Sequence, residues 1–356
     1  MEIKRENYKV IFGEPHVHVD NKSRKRSGHM THALAEFAPG KLIDFNSNCS
    51  GVKYQGHSTF GWVEYRISED GGETFSEIYE LPYSKEVLFD GIYDISVERA
   101  VACDDGRIVA ICLRNDADAL CEPWDTPMTV TSFDGGKTWT EAKELCPYKG
   151  RVYDACYYDG VIYALEFCND AVEHFCGNKP EHLYRIFTSH NRGESFEEFC
   201  VVPLPTDGRG YGSLLFDADG LLHVYAYNVK NEQYMDHIIS YDRGHTWQEP
   251  TVCFVEDGIR NPQTAQLDGV YILHGRNCRL NRDNFRTGFV FYTSEDGQNW
   301  DKGTRLAEVD WGGCYYSNNI ILKDKDGSNR MLVQYSETYG VANCVDVKHV
   351  WLKVEK

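Results

Sequence analysis

A short turn motif recurs along the chain, and this repetition constrains the fold more than any other feature of the sequence. The motif is close to S-x-D-x-G-x-T-W and occurs as SEDGGETF, SFDGGKTW, SHNRGESF and SYDRGHTW, followed by a shortened copy, SEDGQNW. These copies begin at Ser68, Ser132, Ser189, Ser240 and Ser294. The aspartate can accept backbone N–H bonds across a tight turn, and the glycine supplies a positive φ. The motif therefore predicts structural turns, and we do not expect Asp70, Asp134 or Asp242 to be catalytic.

A second repeat lies between these turns and consists of an Asp/Pro-Gly turn followed by an apolar strand. Its glycines are Gly40, Gly106, Gly160, Gly220, Gly269 and Gly327. Consecutive glycines are 49 to 66 residues apart, a spacing that suits blades of four antiparallel strands around an axis. The sequence therefore predicts an all-β fold, a six-bladed β-propeller with Asp-box turns, and a seven-bladed ring is the alternative. We expect residues 1–356 to form one propeller domain whose ring is closed by the N-terminal strand.

The charge balance limits the choice of partner. The 37 Lys and Arg residues are outnumbered by 55 Asp and Glu residues, which gives a formal net charge of −18. A phosphate backbone or an anionic membrane would meet a repelling field, so we expect neither nucleic acid nor a membrane as partner. An acidic sugar remains compatible with this charge, because a few arginines in one cleft can reverse the local sign.

The cysteines and the first residues of the sequence predict a location. The 13 cysteines contain no C-x-x-C pair, and several fall inside apolar strand-like runs, which indicates buried reduced thiols. The opening MEIKRENYKV has no apolar core of a signal peptide. A cytoplasmic protein is the expectation.

The sequence predicts no cofactor. Whether a calcium ion binds in the channel is left open, because no sequence motif would locate its site. His16, His18 and Asp20 alternate along one strand, HVHVD, and could ligate a metal, but a lone strand offers no obvious fourth ligand. We interpret this segment as a solvated edge.

Polar side chains concentrate at one end of every predicted hairpin, opposite its Asp/Pro-Gly turn. Counting back eight to eleven residues from each glycine, and forward about eight, locates this rim. The members that we predict to bind substrate are His29, Asn48, Glu98, Arg114, Arg151, Arg209, Tyr211, Arg260 and Arg276. The catalytic candidates are His32, His57, Tyr153 and Tyr316. Guanidinium groups offer the planar fork that suits a carboxylate, so the predicted partner is an acidic oligosaccharide.

The repeats and hairpins together resemble the sialidase-like Asp-box superfamily over nearly the whole chain. Sialidases use an arginine triad for the substrate carboxylate, a tyrosine nucleophile paired with a glutamate, and an aspartate acid/base. By this resemblance the segment CYYSNNIIL places Tyr316 at the nucleophile position, and Arg276 with Arg209 or Arg260 could match two of the arginines.

The first blade departs from the sialidase pattern. The segment GHMTHALAEF has His29 and His32 where the family carries its first arginine, and His57 stands where the acid/base aspartate would be. The string RSGHMTHALAEFAPGKL, with GHSTFGWVEYR and its turn, looks closer to the propellers that act on terminal L-rhamnosyl-α-1,4-D-glucuronate. Those relatives include lyases and hydrolases.

Three activities remain open from the sequence. The first is a β-eliminating lyase in which His57 or His32 is the base, Arg114 and Arg276 hold the carboxylate, and Tyr153 or Tyr316 protonates the leaving group. The second is a glycoside hydrolase such as an exo-α-sialidase with a tyrosine nucleophile. The third is a non-catalytic glycan-binding propeller. The lyase is the leading hypothesis.

Overall fold

The computed structural model describes residues 1–28, 32–50, 60–117, 125–167, 182–279, 286–309, 315–340 and 344–356. Residues 1–24 contain β1 (Glu2–Lys4), β2 (Lys9–Phe12), β3 (His16–Val19) and the helix α1 (Asn21–Arg24). Residues 25–207 contain β4 (Arg26–Ser27), β5 (His32–Ala38), β6 (Lys41–Ser50), β7 (Gly61–Ser68), β8 (Tyr79–Glu80), α2 (Pro82–Phe89), β9 (Tyr93–Ala102), β10 (Ile108–Asp116), β11 (Met128–Ser132), β12 (Lys143–Glu144), β13 (Arg151–Tyr158), β14 (Val161–Phe167), β15 (Tyr184–Ser189) and β16 (Glu197–Val201). Residues 208–356 contain β17 (Arg209–Phe216), β18 (Leu222–Asn228), β19 (Tyr234–Ser240), β20 (Thr251–Phe254), β21 (Arg260–Leu267), β22 (Val270–Arg279), β23 (Arg286–Ser294), β24 (Thr304–Val309), β25 (Ser317–Lys323), β26 (Asn329–Thr338) and β27 (Val345–Glu355).

The backbone contacts divide the chain into two compact units, and the unit Lys25–Asp207 holds three antiparallel sheets. Their strand orders are β4-β6-β7-β8 with β5 also paired to β6, β9-β10-β11-β12, and β13-β14-β15-β16. The helix α2 begins with Pro82, whose fixed φ suits a first helical turn. Each sheet corresponds to one of the hairpin repeats of the sequence.

The other unit combines Met1–Arg24 with Gly208–Lys356 and also holds three antiparallel sheets. Two of them have the orders β17-β18-β19-β20 and β21-β22-β23-β24. The third has the order β1-β2-β27-β26-β25, and β3 also pairs with β27. In this sheet Lys9 of β2 lies opposite Glu355 of β27, so strands from both ends of the chain share it.

The repeated turn motif has the structural role that its residues predict. In the second copy the Oδ1 atom of Asp134 accepts the backbone N–H groups of Lys137 and Thr138, at 3.0 and 2.9 Å. The hydroxyl of Ser132 lies 2.9 Å from the same oxygen and accepts the N–H of Gly136 at 2.8 Å. Gly136 has a φ of +90°. The aspartate is thus used in closing the turn.

Apolar side chains from neighbouring strands bury one another within each unit. In the unit Lys25–Asp207 one core contains Ile43, Phe45, Val97, Ile108 and Val130. In the other unit a core includes residues of β2, β21, β22, β23, β26 and β27. Strands such as β10 are buried on both faces over most of their length, which explains their nearly continuous apolar sequence.

The described residues therefore form six sheets, and the predicted six-bladed β-propeller of four-stranded antiparallel blades is confirmed. The seven-bladed alternative is wrong, because the N-terminal strands join the last sheet and do not form a further one. Within the described ranges no helix has the length and apolar character needed to cross a membrane.

Candidate functional site

The first strand of four successive sheets carries a β-bulge. In the unit Lys25–Asp207, β9 bulges at Glu98 and β13 at Tyr153, each of which has no opposing residue on the next strand. In the other unit, residues 210–211 of β17 lie opposite Tyr227, and residues 261–262 of β21 lie opposite Gly275. Bulges redirect side chains and are common beside active sites. Three of the predicted site residues, Glu98, Tyr153 and Tyr211, lie at these bulges.

Glu98 and Arg151 form a buried ion pair in the unit Lys25–Asp207. The Nε and Nη2 atoms of Arg151 donate to Oε2 of Glu98 at 3.0 and 2.7 Å. Their side chains are only 7% and 4% exposed. The Arg151 guanidinium also lies 5.2 Å from the ring centre of Tyr153. The charge of Arg151 is therefore balanced within the protein, whereas the second oxygen of Glu98 is buried without a hydrogen bond to any described residue.

Arg114 lies at the end of the same sheet as Glu98 and has weaker contacts. Its guanidinium is 4.8 Å from the ring centre of Tyr93, and its Nη2 atom is 3.5 Å from Asp125 and 3.6 Å from Glu144. Glu144 is largely exposed. These longer charge contacts constrain Arg114 less than the short bidentate pair constrains Arg151.

The predicted residues of the first hairpin are largely buried where the structure describes them. His32 begins β5, is 4% exposed and lies opposite Asn46 of β6. The amide of Asn48 donates to Glu64 at 2.5 Å and accepts a hydrogen bond from Arg26. Both polar groups of Asn48 are thus engaged within the sheet. His29 and His57 lie outside the described residues.

Three tyrosines and two arginines come together in the other unit. The hydroxyls of Tyr211 and Tyr316 are 3.4 Å apart, and their rings meet edge to face. The Arg276 guanidinium lies 4.9 Å from the ring centre of Tyr316, and that of Arg260 lies 6.0 Å from Tyr211 and 5.7 Å from Tyr227. We call these five residues the tyrosine–arginine cluster. It places two cations beside a pair of groups that can donate and accept protons.

Backbone and side-chain hydrogen bonds fix the position of Tyr316. Its N–H donates to the hydroxyl of Ser336 at 3.2 Å, and its carbonyl accepts the N–H of Ser336 at 3.0 Å. The preceding Tyr315 has a φ of 64°, a left-handed conformation that is unusual for a bulky residue. His274 contacts Ser317 through Nδ1 and Asn319 through Nε2, both at 3.0 Å. The start of β25 is therefore rigidly held.

Tyr227 of the cluster and Arg209, another predicted site residue, each contact a carboxylate. The hydroxyl of Tyr227 donates to Glu232 at 2.9 Å, and burial raises the pKa of Tyr227 well above its usual value. Arg209 donates through Nε to Asp236, and its Nη2 lies 3.5 Å from the second oxygen of that carboxylate. Asp236 thus compensates the charge of Arg209. Arg260 and Arg276 instead lie against the rings of Tyr211 and Tyr316.

The structure also brings together histidines that we interpreted as a solvated edge. Nδ1 of His18 lies 3.2 Å from Nδ1 of His349, and His16 lies opposite His349 in the strand pairing. His18 is buried, unlike the expected edge residue. Among the residues that the structure describes, no group of three His, Cys, Asp or Glu side chains has the arrangement of a metal site.

Sequence reasoning missed Tyr227 and the bulges. Tyr227 lies near the end of β18 and gave no motif of its own. The bulge in β21 did leave a signal, because Pro262 within a strand and the isolated Gly275 in the next one both indicate an irregular ladder.

Comparison with known proteins supports this architecture. The family model described as "BNR/Asp-box repeat" matches residues 130–141, which contain the second turn motif. A comparison with curated protein sequences gave no significant match. The described fold and its turns define an Asp-box β-propeller.

Several solved structures share the fold at low sequence identity. A protein of unknown function from Dyadobacter fermentans is 17% identical, with a TM-score of 0.69 over 97% of this chain and 99% of that one. A Hadza microbial sialidase, Hz136, is 12% identical, with a TM-score of 0.69 over 96% of this chain and 68% of that one. A mutant of the NanB sialidase from Streptococcus pneumoniae is 10% identical, with a TM-score of 0.64 over 95% and 70%. The chain thus has the sialidase-like propeller fold.

Proposed function

We propose that this protein is a carbohydrate-active enzyme that cleaves the non-reducing end of a uronate-containing oligosaccharide by β-elimination. The observation that carries the proposal is the tyrosine–arginine cluster, in which the hydroxyls of Tyr211 and Tyr316 lie 3.4 Å apart and Arg276 and Arg260 lie beside the rings. The sialidase-like fold supports a glycan-related role in general terms.

The cluster supplies the groups that such an elimination needs. Arg260 and Arg276 would hold the uronate carboxylate, which neutralises its charge and makes the C5 proton easier to remove. One tyrosine of the pair, as its phenolate, would receive the C5 proton, and the hydroxyl of the other would give a proton to the leaving oxygen on C4. Proton transfer between the two oxygens, which are 3.4 Å apart, would then restore the starting state. The C5–H and C4–O bonds break, a C4=C5 double bond forms, and the freed sugar leaves as an alcohol. His57 also stays a candidate base.

A glycoside hydrolase such as an exo-α-sialidase is the second candidate, because Tyr316 lies at the position that resemblance to sialidases gives to the nucleophile. In that family the nucleophile pairs with a glutamate, whereas the hydroxyl observed beside Tyr316 is that of Tyr211. Hydrolysis would consume water at the anomeric carbon and leave no double bond. The two candidates therefore give different products.

Product analysis tests the proposal. The protein is incubated with a rhamnosyl-glucuronate oligosaccharide, and we expect free rhamnose together with the ultraviolet absorbance of an unsaturated uronate. Rhamnose without that absorbance, or release of sialic acid from a fluorogenic sialoside, would establish hydrolysis and overturn the elimination. Binding of the oligosaccharide without any product would identify a glycan-binding propeller.

Two substitutions connect the activity to the cluster. Tyr316→Phe and Tyr211→Phe each remove one hydroxyl and keep the ring, and we expect each to lower kcat by about 10²- to 10⁴-fold, the range for loss of a proton-transfer group. The control is Tyr241→Phe, since Tyr241 is 64% exposed. Unchanged kcat in both cluster variants would show that the reaction occurs elsewhere.

A further inference from the structure

Asn261 is a buried amide that lacks an internal partner. Its side chain is 5% exposed, and neither its oxygen nor its nitrogen hydrogen-bonds to any residue that the structure describes. Its φ of 55° lies in the left-handed region. An unsatisfied buried amide and a left-handed backbone both lower the stability of the fold. Such a residue calls for an explanation outside the packing of the protein.

Asn261 directly follows Arg260, a member of the tyrosine–arginine cluster. It lies at the bulge of β21, and the bulges of β9, β13 and β17 hold Glu98, Tyr153 and Tyr211. Each of those three carries a functional group suited to binding or proton transfer. In β21 the two bulged residues are Asn261 and Pro262, and Pro262 takes the strand position that Tyr211 has in β17. The polar functional group at this bulge therefore belongs to Asn261.

The neighbours of Asn261 accommodate the bulge. Pro262 has no N–H to give to the ladder and is therefore suited to a bulge. On the facing strand, a Cβ atom at Gly275 would lie 2.7 Å from the carbonyl oxygen of Asn261 and 2.8 Å from that of Arg260. Only glycine lets the two backbones approach this closely. Arg260 and Arg276 lie directly opposite each other in the strand pairing, so the bulge lies immediately beside the two arginines of the tyrosine–arginine cluster.

We propose that Asn261 binds two neighbouring hydroxyls of the sugar ring whose carboxylate is held by Arg260 and Arg276. A primary amide offers one oxygen acceptor and an NH₂ donor, and a pair of sugar hydroxyls offers the complementary donor and acceptor. A uronate ring carries hydroxyls on adjacent carbons beside its carboxylate-bearing end. This inference rests on the proposed function and adds a second recognition element to that site.

The variant Asn261→Gly isolates the amide, because glycine adopts a φ of 55° without strain. Isothermal titration calorimetry of the full chain with methyl β-D-glucuronide is expected to give affinity about tenfold weaker for the variant than for the wild type. The melting temperature should stay equal or rise, since an unsatisfied buried group is removed. The control is Asn299→Gly, whose amide bonds Asp296 within a turn motif; we expect it to lower the melting temperature and leave the affinity unchanged.

Deoxy ligands complete the test as a thermodynamic cycle. The wild type should bind the 2-deoxy or the 3-deoxy glucuronide about tenfold more weakly than the parent glucuronide, and Asn261→Gly should bind the parent and that analogue alike. If the variant binds methyl β-D-glucuronide as tightly as the wild type does, Asn261 is not a ligand group, whereas the proposed function stands. A wild type that binds no glucuronide would overturn both proposals.

Discussion

Replacement of Gly275 by alanine is the most direct perturbation of the bulge in β21. The new Cβ would lie 2.7 and 2.8 Å from the carbonyl oxygens of Asn261 and Arg260, and 2.9 Å from Cδ1 of Ile259. Two of these three atoms belong to the backbone and cannot rotate away. Overpacking costs about 1–3 kcal/mol in general, and we place this case near the upper end. The lower entropy of the unfolded alanine chain offsets about 0.4–1 kcal/mol, which leaves a net loss of about 2 kcal/mol.

Urea unfolding measures this loss as a lower midpoint, and calorimetry with methyl β-D-glucuronide measures the accompanying loss of affinity. The matched control is Gly13→Ala, because a Cβ there would meet the backbone of Trp351 at an ordinary 3.6 Å. We expect that variant to stay within about 0.5 kcal/mol of the wild type. Equal unfolding midpoints for the two variants would refute the close approach of β21 and β22 at Gly275.

Three further predictions concern other parts of the chain. Hydrogen bonds from Thr138 lower the pKa of Asp134 to about 2 in the folded protein. As the pH falls, this carboxylate is therefore protonated in the unfolded chain before it is protonated in the folded one, and the free energy of unfolding should fall from about pH 4 towards pH 2. Urea unfolding of Asp134→Asn should show a smaller decline over this range. Arg151→Met leaves Glu98 buried without its partner and should cost about 3–5 kcal/mol in the same assay, with partial rescue by adding Glu98→Gln; an unaffected single variant would contradict the buried pair. Burial raises the pKa of Cys103 and Cys253 to about 12, so both thiols should react with a disulfide reagent only after unfolding, and fast native labelling would disprove this.

The repeats made the fold predictable because each one specifies its own local structure. The turn motif determines a tight turn through Asp134, Ser132 and a glycine with positive φ. The Asp/Pro-Gly turns determine hairpins, and their number determines the number of sheets. The N-terminal strand has no hairpin of its own in the sequence pattern and was expected to close the ring, and in the structure β2 pairs with β27 in the last sheet.

The site was only partly predictable because charge compensation depends on contacts between distant residues. The sequence predicts Arg151 and Arg209 as substrate-binding arginines. In the structure the charge of Arg151 is balanced by Glu98, and that of Arg209 by Asp236. The sequence does not reveal such pairs, since Glu98 is 53 residues from Arg151. Counting residues from a turn glycine to locate the rim also takes no account of the extra residue at a bulge. The proximity of the Tyr211 and Tyr316 hydroxyls, 105 residues apart, could be found only in three dimensions.

The sheet shared by β2 and β27 has a consequence for the order of folding. The unit Lys25–Asp207 is continuous in sequence and can complete its three sheets while the ribosome is still adding later residues. The strand β2 is made well before its partner β27, because the paired residues Lys9 and Glu355 are 346 residues apart (355 − 9). Until then β2 presents an unpaired strand edge to its surroundings, which is a risk for aggregation. Newly made chains should therefore depend on chaperone protection of the N-terminal strands until synthesis of β27 is complete.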